Sequence, residues 1–115
     1  MSKKFCFLRE YKLKKETVWE YSYELLFNKR KIIRITITDH YQENHKEVIT
    51  NELICKLVKR LDKKRIEPEP KENFDDRDVF VRNFLLTNEK KYRLIFWFKD
   101  HTTNHLWIRN CYPID

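Results

Sequence analysis

Not one of the 115 residues is glycine, and this restricts the fold more than any other property of the chain. Glycine enters left-handed backbone conformations without steric cost, so here every tight turn must be made by Asn, Asp, Lys or Pro. Loops that wrap a phosphate with bare backbone are ruled out too, which removes a P-loop or a dinucleotide-binding fingerprint. Bulky side chains are plentiful instead: eight Phe, six Tyr and three Trp are enough for one packed core. The length leaves room for a single domain over residues 1 to 115.

The apolar positions change period along the chain. From Trp19 to Phe27, Trp19, Tyr21, Tyr23, Leu25 and Phe27 occupy every second position, as a half-buried strand requires. Four polar residues, 28 to 31, break the run before Ile33, Ile35 and Ile37 alternate with Arg34, Thr36 and Thr38, so a hairpin is predicted. The segment around Phe5 and Phe7 fits either an edge strand or a short helix. After the polar stretch 39 to 45 the period becomes that of a helix, with Ile49, Leu53, Ile54, Leu57, Val58 and Leu61 on one stripe. Thr50 stands as its N-cap, Ile49 and Ile54 have the spacing of a hydrophobic staple, and the helix is predicted to end before Pro68. A connector, residues 66 to 78, has six acidic against two basic side chains. Three further strands are predicted over 79–86, 92–99 and 106–114. The expected fold class is α+β: an antiparallel twisted sheet made of a β-hairpin and a three-stranded meander, with a long helix packed on one face.

Charge is polarised along the chain. Residues 1 to 65 hold 17 basic and 9 acidic side chains, and residues 66 to 115 hold 8 and 9, an imbalance that favours a polyanionic partner. The three cysteines, Cys6, Cys55 and Cys111, are odd in number and lack CxxC spacing, which fits free thiols in a reducing compartment. No apolar run reaches the roughly 20 residues that span a bilayer, and the basic start lacks a signal-peptide core. A cytoplasmic location without a membrane partner is expected.

If Ile33, Ile35 and Ile37 form the floor beneath the helix, the opposite face gathers Arg34, Arg93, Lys99, Arg109, Trp97 and Trp107. Cations that hold phosphates and indoles that stack on bases suit single-stranded RNA. Four histidines, His40, His45, His101 and His105, are the groups most able to exchange a proton near neutral pH. His40 and His45 lie between the second strand and the helix. Asp39, His40, Glu43 and His45 do not match a known metal-ligand spacing, so neither a metal nor another cofactor is implied. Cys55 and Cys111 fall on core positions rather than in a nucleophile's setting.

The segments IIRITITDHYQENHKEVITNELICKLVKRLD, KKYRLIFWFKD and HLWIRNCYPID, with a TyrPro ending, resemble the barnase/EndoU/colicin/RelE (BECR) group of small ribonuclease toxins over residues 32 to 115. The resemblance implies metal-free transesterification of RNA, such as tRNA or mRNA, on the sheet face away from the helix. It also implies an acidic antitoxin or immunity protein as partner. Carried over, the histidine ahead of the helix falls on His40, the basic strand residue on Arg93 or Arg82, and the terminal tyrosine on Tyr112. Asn110 stands where the related ending has threonine, which removes a hydroxyl donor. His40 is then the expected base and His45 or Tyr112 the acid. Arg34, Trp97, Lys99, Trp107 and Arg109 would bind the RNA. On strict alternation, however, Asn110 and Tyr112 point to the helix side, and only a bulge near the strand end would turn them over. A non-catalytic RNA-binding or protein-interaction module using the same basic aromatic face is the alternative.

RNA binding should be salt-dependent. With three to five phosphates engaged, log K should fall against log salt with a slope of about −2 to −3.5 on single strands; a flat profile would leave the charge as a solubility device.

Overall fold

The computed structural model describes residues 4–70, 77–86, 89–100 and 102–114. Its strands are β1 (Cys6–Leu13), β2 (Glu16–Phe27), β3 (Arg30–Thr38), β4 (Phe80–Leu85), β5 (Lys91–Phe98) and β6 (His105–Ile114). Between β3 and β4 come a 3-10 turn, Asp39–Tyr41, and two short helices, α1 (Gln42–His45) and α2 (Asn51–Lys59). All six strands join one sheet in the order β1-β2-β3-β6-β5-β4. Each three-stranded meander is antiparallel within itself, and the two meet where β3 runs parallel to β6.

This corrects the expected fold class. The described residues are mostly sheet, 53% strand against 16% helix, the sheet is mixed, and no long helix is found among them. The parallel joint is set by the crossover through α1 and α2, which starts β4 in the direction of β3, so that after two reversals β6 runs the same way as β3. The helix starts as its residues require, with Leu53 N donating to Thr50 Oγ1 at 3.1 Å and Ile49 and Ile54 both buried. Past Lys59 the chain tightens into i→i−3 turns, with Arg60, Leu61 and Asp62 N–H donating to Leu57, Val58 and Lys59 O, and it then bonds to the sheet. Lys63, in the left-handed region at φ 65°, donates its N–H to Leu26 O, Asn28 N donates to Lys64 O, and Lys64 bridges Phe27.

Without glycine, five described residues take positive φ: Lys14, Asn28, Lys29, Lys63 and Glu89. Asn28 (φ 50°) and Lys29 (φ 64°) form the two-residue β2–β3 turn, the pair of left-handed residues that a twisted hairpin demands. For a residue carrying Cβ this conformation costs roughly 1–2 kcal/mol. Asn28 offsets part of that by accepting from Ile66 N at 2.7 Å and donating to Ile66 O at 3.0 Å. The undecided N-terminal segment is edge strand β1. The acidic connector lies partly among residues outside those described.

The core lies between the sheet and α2. Ile54, Leu57 and Val58 of the helix pack with Ile35, Ile37, Leu94, Phe96, Leu106 and Ile108 of the central strands. Phe27 sits 5.3 Å from Phe80 and 5.4 Å from Phe96, centroid to centroid. Each such side chain contributes about 1.5–3 kcal/mol on burial. Ile33 is not part of this floor: it is exposed, and Ile32 is buried in its place. The register of β2 against β3 shifts between Ser22 and Leu25, and the N–H groups of Ile33 and Arg34 both point to Asn104 O, so the alternation slips by one residue.

Among the described residues no helix is long and apolar enough to cross a membrane. All three cysteines are free thiols, with Cys6 exposed, Cys55 half-buried and Cys111 buried. Burial pushes the Cys55 and Cys111 thiols up to about 12. In the native protein at pH 8, a thiol reagent should therefore label Cys6 rapidly and the other two only after denaturant is added. Rapid labelling of Cys111 would contradict this packing.

Candidate functional site

Residues directly opposite each other on paired strands share a face, so the registers define what lies across from α2. Thr36 faces Glu20 and Trp107, and Arg34 faces Ser22 and His105. Trp107 faces Trp97, and Tyr112 faces Arg93. Beyond Trp107 the register shifts: Phe96 pairs with Ile108 but Ile95 with Asn110, so Arg109 is an extra residue in β6. This bulge turns Asn110 and Tyr112 onto the face of Ile95 and Arg93 and returns Cys111 to the core. Strict alternation, which put Asn110 and Tyr112 on the helix side, is corrected at this one residue.

At the end of the face nearest α1, three expected residues converge. The His45 ring lies 5.8 Å from that of Tyr112, nearly parallel at 27°. Arg93 Nη1 reaches the Tyr112 hydroxyl at 3.4 Å, its guanidinium carbon is 5.8 Å from the Tyr112 ring centre, and its Nε donates to Asn83 Oδ1 at 2.9 Å. His45 is held by its backbone, since its carbonyl accepts from Val48 N and Ile49 N at 3.1 and 2.9 Å. Asn110 uses its side-chain oxygen to accept from Cys111 N, closing the bulge.

Two expected residues do not join them. His40 lies in the 3-10 turn with Nδ1 3.7 Å from Glu43. Arg82 pairs with Leu94 and Arg93 with Asn83, so the two arginines that could equally have supplied the site cation are on opposite faces. His101 lies outside the described residues.

The middle of the face is less open than expected. Glu20 is 5% exposed, Thr36 0% and Thr38 1%. Glu20 receives Arg34 Nη1 at 2.7 Å and Arg9 Nε at 3.1 Å. Burial pushes the Glu20 carboxyl up, but the hydrogen bonds and charges of Arg34 and Arg9 outweigh it and hold the group below the usual carboxylate range. His105 Nε2 is 2.7 Å from Thr36 Oγ1, and burial, with Lys99 nearby, pushes its imidazole down to about 4. Arg109 pairs with Glu16 at 2.7 Å. Arg34 and Arg109, expected as cations for RNA, are thus each engaged by a carboxylate of β2. Glu20 falls among the polar residues that alternate with the apolar ones from Trp19 to Phe27, whereas Glu16 lies ahead of that run, and nothing local tied either to those arginines.

At the other end, the paired indoles Trp97 and Trp107, with Leu13, Lys99, Arg77 and Asp100, line a cleft of about 240 Å³. Lys99 Nζ is 5.9 Å from the Trp107 ring and the Arg77 guanidinium 4.7 Å from that of Trp97. Arg77 also pairs with Asp100 at 2.8 Å. Comparison with protein-family models, curated proteins and solved structures finds no match to the chain. Among the described residues no group of three or more His, Cys, Asp or Glu side chains could hold a metal ion. Asp39, of the histidine-rich linker, uses its carboxylate to accept from Thr17 N at 2.9 Å.

His105 generates a pH prediction with a definite sign. It titrates near 6.5 unfolded and near 4 folded, so between those values the unfolded chain binds more protons, and stability falls as pH drops. A series of urea midpoints should decline from pH 6.5 to 4. His105→Gln should be less stable at pH 7, having lost the Thr36 contact, and should decline less steeply over the same interval. Parallel profiles for the two proteins would show that His105 is not the group responsible.

Proposed function

We propose that this protein is an endoribonuclease that cleaves RNA by transesterification through the 2′-hydroxyl, using His45, Tyr112 and Arg93. The observation that carries this reading is the convergence of an imidazole, a phenol and a guanidinium at one end of a sheet face whose other end carries paired indoles and Lys99. An arginine is suited to a phosphodiester, which it can contact through two parallel N–H groups. Histidine changes charge near neutral pH, and the indoles offer stacking surface for bases a few nucleotides away. Along β5, Arg93 and Trp97 are four residues apart, about 13 Å, so one RNA strand can touch both.

In the proposed step the neutral imidazole of His45 takes the proton of the 2′-hydroxyl as the 2′-oxygen bonds to phosphorus. The bond from phosphorus to the 5′-oxygen breaks, and that oxygen takes the proton of Tyr112. Arg93 faces both the phosphoryl oxygens and the phenolate, where negative charge collects in the transition state. A 2′,3′-cyclic phosphate and a 5′-hydroxyl result, and solvent carries the proton from His45 back to Tyr112. His45 replaces His40 as the proposed base because His45 is the histidine stacked on Tyr112.

Purified protein should cleave single-stranded RNA in EDTA. His45→Ala should lower turnover by about 10²- to 10⁴-fold while leaving RNA affinity intact, and His40→Ala should have a smaller effect. A larger loss in His40→Ala would return the base to that residue. Complete inhibition by EDTA would overturn the side-chain mechanism, and salt-sensitive binding with no cleavage of tRNA or mRNA pools would favour the binding-module reading.

A further inference from the structure

On the face that carries α2, the C-terminal end of the helix and edge strand β4 enclose a groove of about 360 Å³. Lys59, Arg60, Lys64 and Arg82 line it together with Asp62 and Asn83. Among the described residues Asp62 is the sole carboxylate in this lining, and its Oδ1 already accepts from Leu26 N at 2.8 Å. Arg60 is fixed in place, donating to Leu85 O at 2.8 Å with its guanidinium 5.5 Å from the Phe84 ring. Cations at a helix C-terminus are favoured by the helix dipole, which accounts for Lys59 and Arg60. It does not account for Arg82, which comes from β4, or for Lys64, which lies beyond the helix. Four like charges around one engaged carboxylate repel one another unless an anion enters.

We propose that this groove is a second phosphate-binding surface, which holds the RNA strand where it continues over the β4 edge from the Arg93 site. Asn83 is the physical link, because it lines the groove while its Oδ1 holds Arg93 Nε at 2.9 Å. Arg82 and Arg93 are neighbours of this edge on opposite faces, so a polyanion that wraps the edge meets both. An RNA backbone fits better than a compact anion, since the cations are spread along the groove and continue past Asn83. The inference rests on the proposed action on RNA but not on cleavage.

The test measures binding of fully 2′-O-methylated single strands, which lack the attacking hydroxyl, in two lengths: a tetranucleotide and a strand long enough to wrap the edge. The doubly reversed variant Arg82→Glu/Lys64→Glu should bind the long strand about tenfold more weakly, with a salt slope shallower by about 1.4 for two lost phosphates. The tetranucleotide should be little affected. Arg82→Gln/Lys64→Gln should show the same length dependence with a smaller loss, so the outcome does not hinge on one variant's folding. Lys14→Glu/Lys15→Glu, an equal charge change at the β1–β2 turn, should bind both lengths like the unaltered protein. Equal losses in the two charge-reversed proteins, no loss in either groove variant, or no affinity of the unaltered protein for the long strand would overturn the groove. Length-dependent loss without cleavage of ordinary RNA would remove the ribonuclease reading and leave the groove standing. Cleavage without length-dependent loss would do the reverse.

Discussion

The parallel pairing of β3 with β6 is the contact on which the rest of the molecule depends. Each meander alone is a three-stranded sheet with one apolar face, and joining the two takes the apolar edges of both out of water. Their register, Arg34 to His105 through Ile37 to Ile108, makes the two apolar faces one floor for α2. Side chains reinforce the joint. Thr36 bonds to His105 at 2.7 Å, and Thr38 Oγ1 donates to the carbonyls of Ile108 and Arg109. The threonines of β3 therefore fasten the seam from the face opposite the core, at the edge of the bulge that reorients Asn110 and Tyr112.

That face is divided electrically. In its middle, Glu20 is clamped between Arg9 and Arg34, and Arg109 is paired with Glu16. Removing both arginines would leave the buried Glu20 carboxylate unmatched, which is far more costly than the pairing is favourable. This region is best understood as structural. The ends differ: Arg93 is held by a neutral asparagine and a phenol, and Lys99 lies over an indole. Both of these cations are positioned by neutral partners and so remain electrostatically available to a polyanion.

Much of the strand pattern was legible because two-residue alternation is a local property. β2, β3 and the final three strands fall close to their expected ranges, and the Thr50 cap and the Ile49 and Ile54 staple sit where their residue types require. The helix was read too long because Leu61 continues its stripe, while the bonds from Lys63 to Leu26 and from Asn28 to Lys64 that follow it involve residues far away in sequence. The mixed sheet was missed for the same reason, since no alternation reveals which strands of two meanders will pair. Of the proposed site, His45 was a candidate from its residue type and position and Arg93 from the face it was expected to share, while Tyr112 came only from the likeness of the chain's ending to the ribonuclease toxins. The Arg109 bulge that puts Tyr112 beside Arg93 leaves no mark in a glycine-free strand, and the choice between Arg93 and Arg82 needed the β4–β5 register.

The central claim is that His45, Tyr112 and Arg93 together receive an RNA phosphodiester. The most direct measurement is an NMR titration of the protein with an uncleavable 2′-O-methylated trinucleotide, following the imidazole of His45, the ring of Tyr112 and the guanidinium of Arg93. The account predicts saturable shifts of all three signals with a common affinity, while the His105 imidazole, bonded to Thr36, stays in place. Binding that moves none of the three, or that shifts only residues around His105 and Glu20, would contradict it.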